Sequence, residues 1–247
     1  MAPGLVGQTV ERARDLQRMQ SSAATSQAVA ANCGYVPNRQ LSRDRRSQQD
    51  GLGAVKRAGY RRAMTLESWA NAQAEELLAP LGDRWMHVQA VADEARRVAA
   101  VLPAQEDDLL VAAAYLHDIG YAPSLNRLGF HPLDGARFLR AHGQERLACL
   151  VAHHSGARFE AEERGLVEEL AAFPVEDGPV MDALTFADMT IGPAGQPMAL
   201  DERISEIRRR YPPDDPVHRA IIRARPLLQA AVERTQAWLH GRPTQPM

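Results

Sequence analysis

The stretch LLVAAAYLHDIG, residues 109–120, carries the most information about the fold of this chain. Its apolar run from Leu109 to Leu116 predicts a buried helix, and Gly120 is typical of a residue that ends one. The pair His117-Asp118 stands between the run and the glycine, and both side chains are of types that bind metal ions. A helix end gives such ligands a rigid support with an open side. A lone His-Asp pair is more typical of an ordinary polar helix end, so the remaining sequence must decide between the two interpretations.

Other candidate ligands occupy similar positions along the chain. The apolar spacing and the turn residues predict helices that end or begin near each of them. In chain order they are His87, His131, the pair His153-His154, and Asp188. Because helix ends in a bundle can converge, these side chains predict one metal site. We interpret His142, His218 and His240 as structural or surface residues.

The sequence as a whole predicts an all-α fold. No segment alternates apolar and polar residues for long, and β-branched and aromatic residues are sparse. We expect the helical domain to span residues 64–240, with Thr65 capping its first helix and residues 241–247 forming a tail. Residues 1–63 hold 11 Lys and Arg against 4 Asp and Glu, and we predict a disordered basic extension there. It can be a basic arm, a targeting segment or an upstream extension without function, and we favour the last.

Charge and composition exclude several functions. The whole chain has a net charge of −2, so the part after residue 63 is acidic, which argues against nucleic-acid binding. Lys56 is the only lysine, so the domain has neither a lysine for a Schiff base nor a Walker-type phosphate loop. Cys33 and Cys149 have no CxxC partner, and no run of 18 apolar residues exists. We therefore expect a cytoplasmic protein that does not bind membranes.

The ligand types suit a divalent metal of hard to intermediate character. Imidazole with carboxylate fits Fe, Mn, Zn, Co or Ni, and these are not distinguished by the sequence. One ion with open positions needs no more than His87, His117, Asp118 and Asp188. Adding His131 and His153 makes room for a second ion, with Asp118 as the bridge. Two ions roughly 3.5–4 Å apart can bind phosphoryl oxygens and lower the pKa of a bridging water.

The order His87, His117-Asp118, Asp188 resembles the HD-domain superfamily of metal-dependent phosphohydrolases, over about residues 80–210. The stretches Leu116-His117-Asp118-Ile119-Gly120, His131-Pro132-Leu133-Asp134-Gly135, Ala152-His153-His154-Ser155-Gly156 and Ala187-Asp188 resemble motifs of its binuclear members. The resemblance implies an HD-domain-like helical bundle with the metal site at converging helix ends. It implies that His87, His117, Asp118 and Asp188 hold the first metal, and that Asp118, His131 and His153 hold the second. His154 is the alternative ligand at this position. We prefer His153 because of its His-x-x-Gly spacing to Gly156.

The resemblance also implies an activity. The expected enzyme hydrolyses a small phosphoester or a nucleotide through a metal-bound hydroxide, with Asp118 holding the bridge and His153 or His154 protonating the leaving oxygen. Two alternatives stay open, a diiron oxygenase of the same superfamily and a metal-binding or regulatory protein without catalysis. The stretch Gly120-Tyr121-Ala122-Pro123 lacks the lysine usual in the cyclic-di-GMP phosphodiesterase branch, which argues against that substrate. Arg84 and Arg158 are candidate phosphate contacts, and the oligomeric state is left open.

Overall fold

The computed structural model describes residues 64–102 and 106–241, and the regular structure within them is helical. The α-helices are α1 (Leu66–Leu78), α2 (Asp83–Ala99), α3 (Asp107–Leu116), α4 (His131–Ala141), α5 (Glu145–His153), α6 (Ala157–Arg164), α7 (Val167–Ala171), α8 (Pro179–Met189), α9 (Leu200–Arg210) and α10 (Pro216–Leu239). Short 3-10 turns span Ala79–Leu81, Ile119–Tyr121 and His154–Gly156. No β-strand occurs in these residues, so the predicted all-α fold is confirmed.

Helix α3 lies at the centre of the bundle. Every residue from Leu109 to Leu116 is buried, as the apolar run predicts. The helix packs against α1, α2, α5 and α8, so it is covered on all sides. Burial of a leucine side chain such as Leu110 or Leu116 contributes about 1.5–3 kcal/mol relative to exposure. The centre of the core therefore holds the helix that leads directly into the His117-Asp118 pair.

Gly120 has a different role from the predicted one. Helix α3 ends at Leu116, His117 still has α-helical dihedral angles, and the chain then enters a 3-10 turn that contains Gly120. A Cβ atom on Gly120 would lie 2.0 Å from the carbonyl oxygen of His131 and 2.8 Å from the amide nitrogen of Gly135. The glycine is thus required because the backbone of this turn packs directly on the first turn of α4.

Local sequence features account for several helix boundaries. Thr65 caps α1 as predicted, because its Oγ1 accepts a 3.1 Å hydrogen bond from the amide of Ser68. Gly165 ends α6 with a φ of 69°, so α6 and α7 are separate helices. Helix α10 runs continuously through Pro226.

Some predictions fall outside the residues that the structure describes. These are the disordered basic extension over residues 1–63 and nearly all of the tail, residues 242–247. Among the described helices, none combines the length and the apolar character needed to cross a membrane.

Candidate metal centre

A first group of ligand-type side chains brings three helices together. His87 comes from the first turns of α2, His117 from the end of α3, and Asp188 from the last turn of α8, and all three are buried. One ligand atom of each lies within 4.8 Å of the others. The Oδ1 atom of Asp188 is 3.1 Å from Nε2 of His87 and 3.7 Å from Nε2 of His117. The predicted convergence of helix ends thus brings these three residues together.

A second group lies beside the first. It consists of Asp118, His131 at the start of α4, and His154 just after α5, with ligand atoms again within 4.8 Å of one another. Nε2 of His131 is 3.3 Å from Oδ1 of Asp118 and 3.3 Å from Nε2 of His154. Two imidazole nitrogens at this separation need either a proton or a cation between or beside them.

Backbone carbonyls fix the orientation of three of the imidazoles. Nδ1 of His87 faces the carbonyl of Gly192 at 3.0 Å, Nδ1 of His117 that of Ala114 at 2.7 Å, and Nδ1 of His154 that of Val151 at 2.6 Å. A carbonyl oxygen only accepts, so each Nδ1 carries a hydrogen and donates it. In the neutral ring Nε2 then presents a lone pair toward the carboxylates, as histidine ligands of metals do.

The buried polar atoms fit a bound cation. Nε2 of His117 is buried and has no hydrogen-bond partner among the described residues. An unsatisfied buried polar atom costs about 1–3 kcal/mol, and such atoms are rare in folded proteins. A divalent cation between His117 and the two carboxylates would supply the missing partner. The residues present therefore fit the metal that this donor set implies.

The ionisation of the buried groups agrees with a cation site. Burial opposes the charged form of His117, but the adjacent Asp118 carboxylate outweighs this and raises the pKa of the imidazole to about 9. Burial lowers the pKa values of His131 and His154, which keeps them in the neutral form that binds metals. Burial alone would raise the pKa of Asp118, but the Arg84 guanidinium and His117 hold it well below its usual range. The site therefore combines ionised carboxylates with the neutral imidazoles of His131 and His154, which is an arrangement that binds a cation.

Asp118 faces both groups. Its Oδ2 atom is 3.4 Å from Nε2 of His117 and 4.0 Å from Nε2 of His87, whereas its Oδ1 atom is 3.3 Å from Nε2 of His131. Nη1 of Arg84 donates a 2.5 Å hydrogen bond to the same Oδ2 atom. This placement is the one that a bridging carboxylate needs.

His153 lies outside both groups. Its Nε2 atom donates a 2.7 Å hydrogen bond to the carbonyl of Phe173, and its side chain lines a separate pocket of about 790 Å³. Helix α5 ends at His153 and the backbone turns at His154, so the two side chains have different surroundings, and Nδ1 of His154 faces the carbonyl of Val151. The structure brings in His154, and we replace His153 by this alternative. The His-x-x-Gly spacing to Gly156 favoured His153 in the sequence. Spacing alone does not show which of the two side chains points toward the site.

Two residues near the site were not predicted. Oγ of Ser155 donates a 2.5 Å hydrogen bond to Oδ2 of Asp188, and Nη2 of Arg203 lies 3.9 Å from Oδ1 of the same carboxylate. Ser155 follows the His153-His154 pair directly, but nothing in the sequence indicates its hydrogen bond to Asp188. Arg203 is one of several arginines on α9, and nothing in the sequence distinguishes it. Of the two arginines that were predicted, Arg84 lines the site, whereas Arg158 lines the separate pocket.

The fold and these side chains together define an all-α protein with a carboxylate–imidazole centre at converging helix ends. The family model of the HD domain matches residues 84–188, a segment that contains every ligand-type residue of both groups. The match over residues 84–188 confirms the resemblance to the HD domain that the sequence indicates. No curated protein and no solved structure matches this chain at a significant level.

Proposed function

We propose that this protein is a phosphohydrolase that uses two divalent ions to hydrolyse a small phosphoester. The observation that carries the proposal is the position of Asp118 between two imidazole groups. Its Oδ2 atom lies 3.4 Å from Nε2 of His117, and its Oδ1 atom lies 3.3 Å from Nε2 of His131. A carboxylate with one oxygen toward each group is suited to join two ions.

The ligands divide between the two ions. His87, His117, Asp118 and Asp188 would hold the first ion, and Asp118, His131 and His154 would hold the second. When bound, such ions supply positive charge for phosphoryl oxygens and lower the pKa of a water nucleophile. Iron, manganese, zinc, cobalt and nickel all suit this donor set.

The chain itself orients the substrate and balances charge. Arg84 lines the open side of the site, with its guanidinium 4.0 Å from the ring centre of Tyr121 and its Nη1 atom on Asp118. It is therefore placed to turn from Asp118 to a phosphoryl oxygen when cations take up the carboxylate charge. His154 is a ligand in this assignment and His153 points elsewhere, so we no longer assign proton donation to either.

The test combines metal analysis with hydrolysis. Protein purified in air should contain close to two ions per chain, or take them up when Mn²⁺ is added, and should then hydrolyse a generic phosphomonoester. Asp118→Ala should lose both ions and the activity. Asp201→Ala is the matched control, because Asp201 is an exposed carboxylate paired with Arg225 on the surface. Two bound irons with oxygen consumption and no hydrolysis would transfer the assignment to a diiron oxygenase.

A further inference from the structure

The pocket beside the candidate metal centre extends beyond the segment matched by the HD domain. One part of its lining contains the ligand residues Asp118, His131, His154 and Asp188. Another part comes from α9 and the first turns of α10, which follow residue 188. A substrate whose phosphoryl group meets the ions would therefore place its remaining atoms against α9 and α10.

Arg203 on α9 lines this pocket with a guanidinium group that is only partly paired. The residue is only 4% exposed, and its Nη1 atom donates a 2.6 Å hydrogen bond to Glu206. Its Nη2 atom lies 3.9 Å from Oδ1 of Asp188, which is too long for a hydrogen bond. Its Nε atom is buried without any partner among the described residues. Guanidinium groups prefer acceptors that take two parallel hydrogen bonds, and a phosphoryl group is such an acceptor.

The charges around Arg203 also favour an anion. Arg203 and Arg210 share the single carboxylate of Glu206, at 2.6 Å and 3.3 Å. The other carboxylate near Arg203 is Asp188, at 3.9 Å, so this side of the pocket would carry excess positive charge once a cation neutralises Asp188. Glu160 also lines the pocket, but the Nε atom of Arg164 pairs with it at 2.6 Å.

Apart from Arg203, Arg210 and Tyr211, the pocket lining between α9 and the first turns of α10 is apolar. Ile207, Val217, Ala220, Ile221 and Ala224 supply it, and their side chains have no hydrogen-bonding atoms. The pocket has a volume of about 100 Å³, whereas pockets for drug-sized ligands usually span about 300–1,000 Å³. A phosphoryl group and a few carbon atoms fill such a space. A nucleoside is too large for a space of this volume.

We infer that the substrate is a phosphomonoester of a small apolar alcohol, with its phosphoryl group held by Arg203 and its carbon chain packed on Ile221 and its neighbours. The inference rests on the proposed function and narrows its substrate class. It makes α9 and α10, rather than the HD-domain segment, the part of the chain that selects the substrate.

Alkylphosphonates test the inference without turnover, because their P–C bond is not hydrolysed in this reaction. Binding of methylphosphonate, butylphosphonate and adenosine monophosphate to the Mn²⁺-loaded protein is measured by calorimetry. Butylphosphonate should bind at least about tenfold tighter than methylphosphonate, since each buried methylene adds to the affinity. Adenosine monophosphate should bind no tighter than methylphosphonate. Equal affinity for the two phosphonates, or tighter binding of the nucleotide, would overturn the inference.

Two pairs of variants test separately which residues bind the phosphonate group and which bind the alkyl chain. Arg203→Gln should weaken both phosphonates by at least about tenfold through the lost charged hydrogen bonds, whereas Arg209→Gln, on the exposed side of the same helix, should not. Ile221→Ala should reduce the preference for butylphosphonate and leave methylphosphonate unchanged. Ile222→Ala is its control, because the Ile222 side chain is 47% exposed. Should Arg203→Gln fail to fold, the Ile221 pair still decides, and an unchanged preference in Ile221→Ala would refute the proposed wall.

The proposed function can fail separately from this inference. A preference for butylphosphonate without hydrolysis of butyl phosphate would support the inferred pocket and remove the proposed reaction. Hydrolysis of phosphoesters without any preference for the butyl group would keep the reaction and remove the inference.

Discussion

The hydroxyl of Ser155 donates a 2.5 Å hydrogen bond to Oδ2 of Asp188, and it does so from a backbone with a φ of 47° and a ψ of 34°. Among the described residues other than glycine, Ser155 alone has a positive φ. A left-handed conformation costs a residue with a side chain roughly 1–2 kcal/mol. Strained backbone conformations cluster at functional sites, and Ser155 lies beside the candidate ligands. Its hydroxyl binds Oδ2 of Asp188, so Oδ1 of the same carboxylate faces His87.

Replacing Ser155 should separate the strain from the hydrogen bond. Ser155→Ala and Ser155→Gly both remove the hydroxyl, and each should lower the affinity for the first ion by roughly 10-fold, as lost contacts to metal ligands typically do. Only Ser155→Gly also relieves the backbone, so it should be about 1 kcal/mol more stable than Ser155→Ala. Chelator competition measures the affinity and urea unfolding the stability. Metal affinity equal to that of the unchanged protein in both variants would show that the hydroxyl does not position Asp188.

The two neighbouring histidines should behave differently when each is removed. His154→Ala takes a ligand from the second group and should lower the metal content by about one ion per chain, since the remaining ligands hold the ion only weakly. His153→Ala should leave the metal content unchanged, because this side chain contacts the carbonyl of Phe173. Elemental analysis after dialysis gives both numbers. Loss of an ion in His153→Ala, with full content in His154→Ala, would restore the original assignment from the sequence.

Much of this centre could be predicted because its parts are local in sequence. The apolar run into His117-Asp118 and the helix ends at His87, His131 and Asp188 are visible as spacing, and the structure brings these side chains together. Such patterns report helices and their ends, which depend on short-range interactions.

The parts that could not be predicted depend on direction and on long-range packing. Which member of the His153-His154 pair faces the site depends on how α5 is rotated in the bundle. Arg203 comes close to Asp188 only because α9 packs beside α8. The need for a glycine at position 120 arises from the first turn of α4, eleven residues further along the chain.

The metal-free protein should lose stability as the pH rises through the range where His117 titrates. The pKa of His117 is raised to about 9 in the folded protein by Asp118, against about 6.5 in an unfolded chain. A raised pKa means that the folded state binds the proton more tightly, so the contribution is complete below about pH 6.5 and disappears above about pH 9. Thermal unfolding with a chelator present, followed from pH 6 to pH 9.5, measures the loss.

Metal binding should reverse this dependence, because the cation takes the place of the proton on His117. Near pH 7.5 the uptake of metal should therefore release about one proton per chain, which calorimetry in buffers of different ionisation enthalpy detects. A metal-free protein with the same stability at pH 6.5 and pH 9.5, together with metal uptake that releases no proton, would contradict the placement of His117 beside two carboxylates.

Substituting Gly120 should damage both the fold and the second ion. In Gly120→Ala the new methyl group would lie 2.0 Å from the carbonyl oxygen of His131, so the turn and the start of α4 must separate. We expect a loss of at least about 2–3 kcal/mol in the free energy of unfolding, as for other overpacked sites. Gly143→Ala is the matched control, because Gly143 has a φ of 73° and open space around it, and should cost only about 1 kcal/mol.

Urea unfolding gives the two stabilities, and elemental analysis should show that only Gly120→Ala also loses an ion, since His131 moves with α4. Equal costs in the two variants, with metal content intact, would show that Gly120 serves only as a flexible link and that α4 does not depend on its contact with this turn.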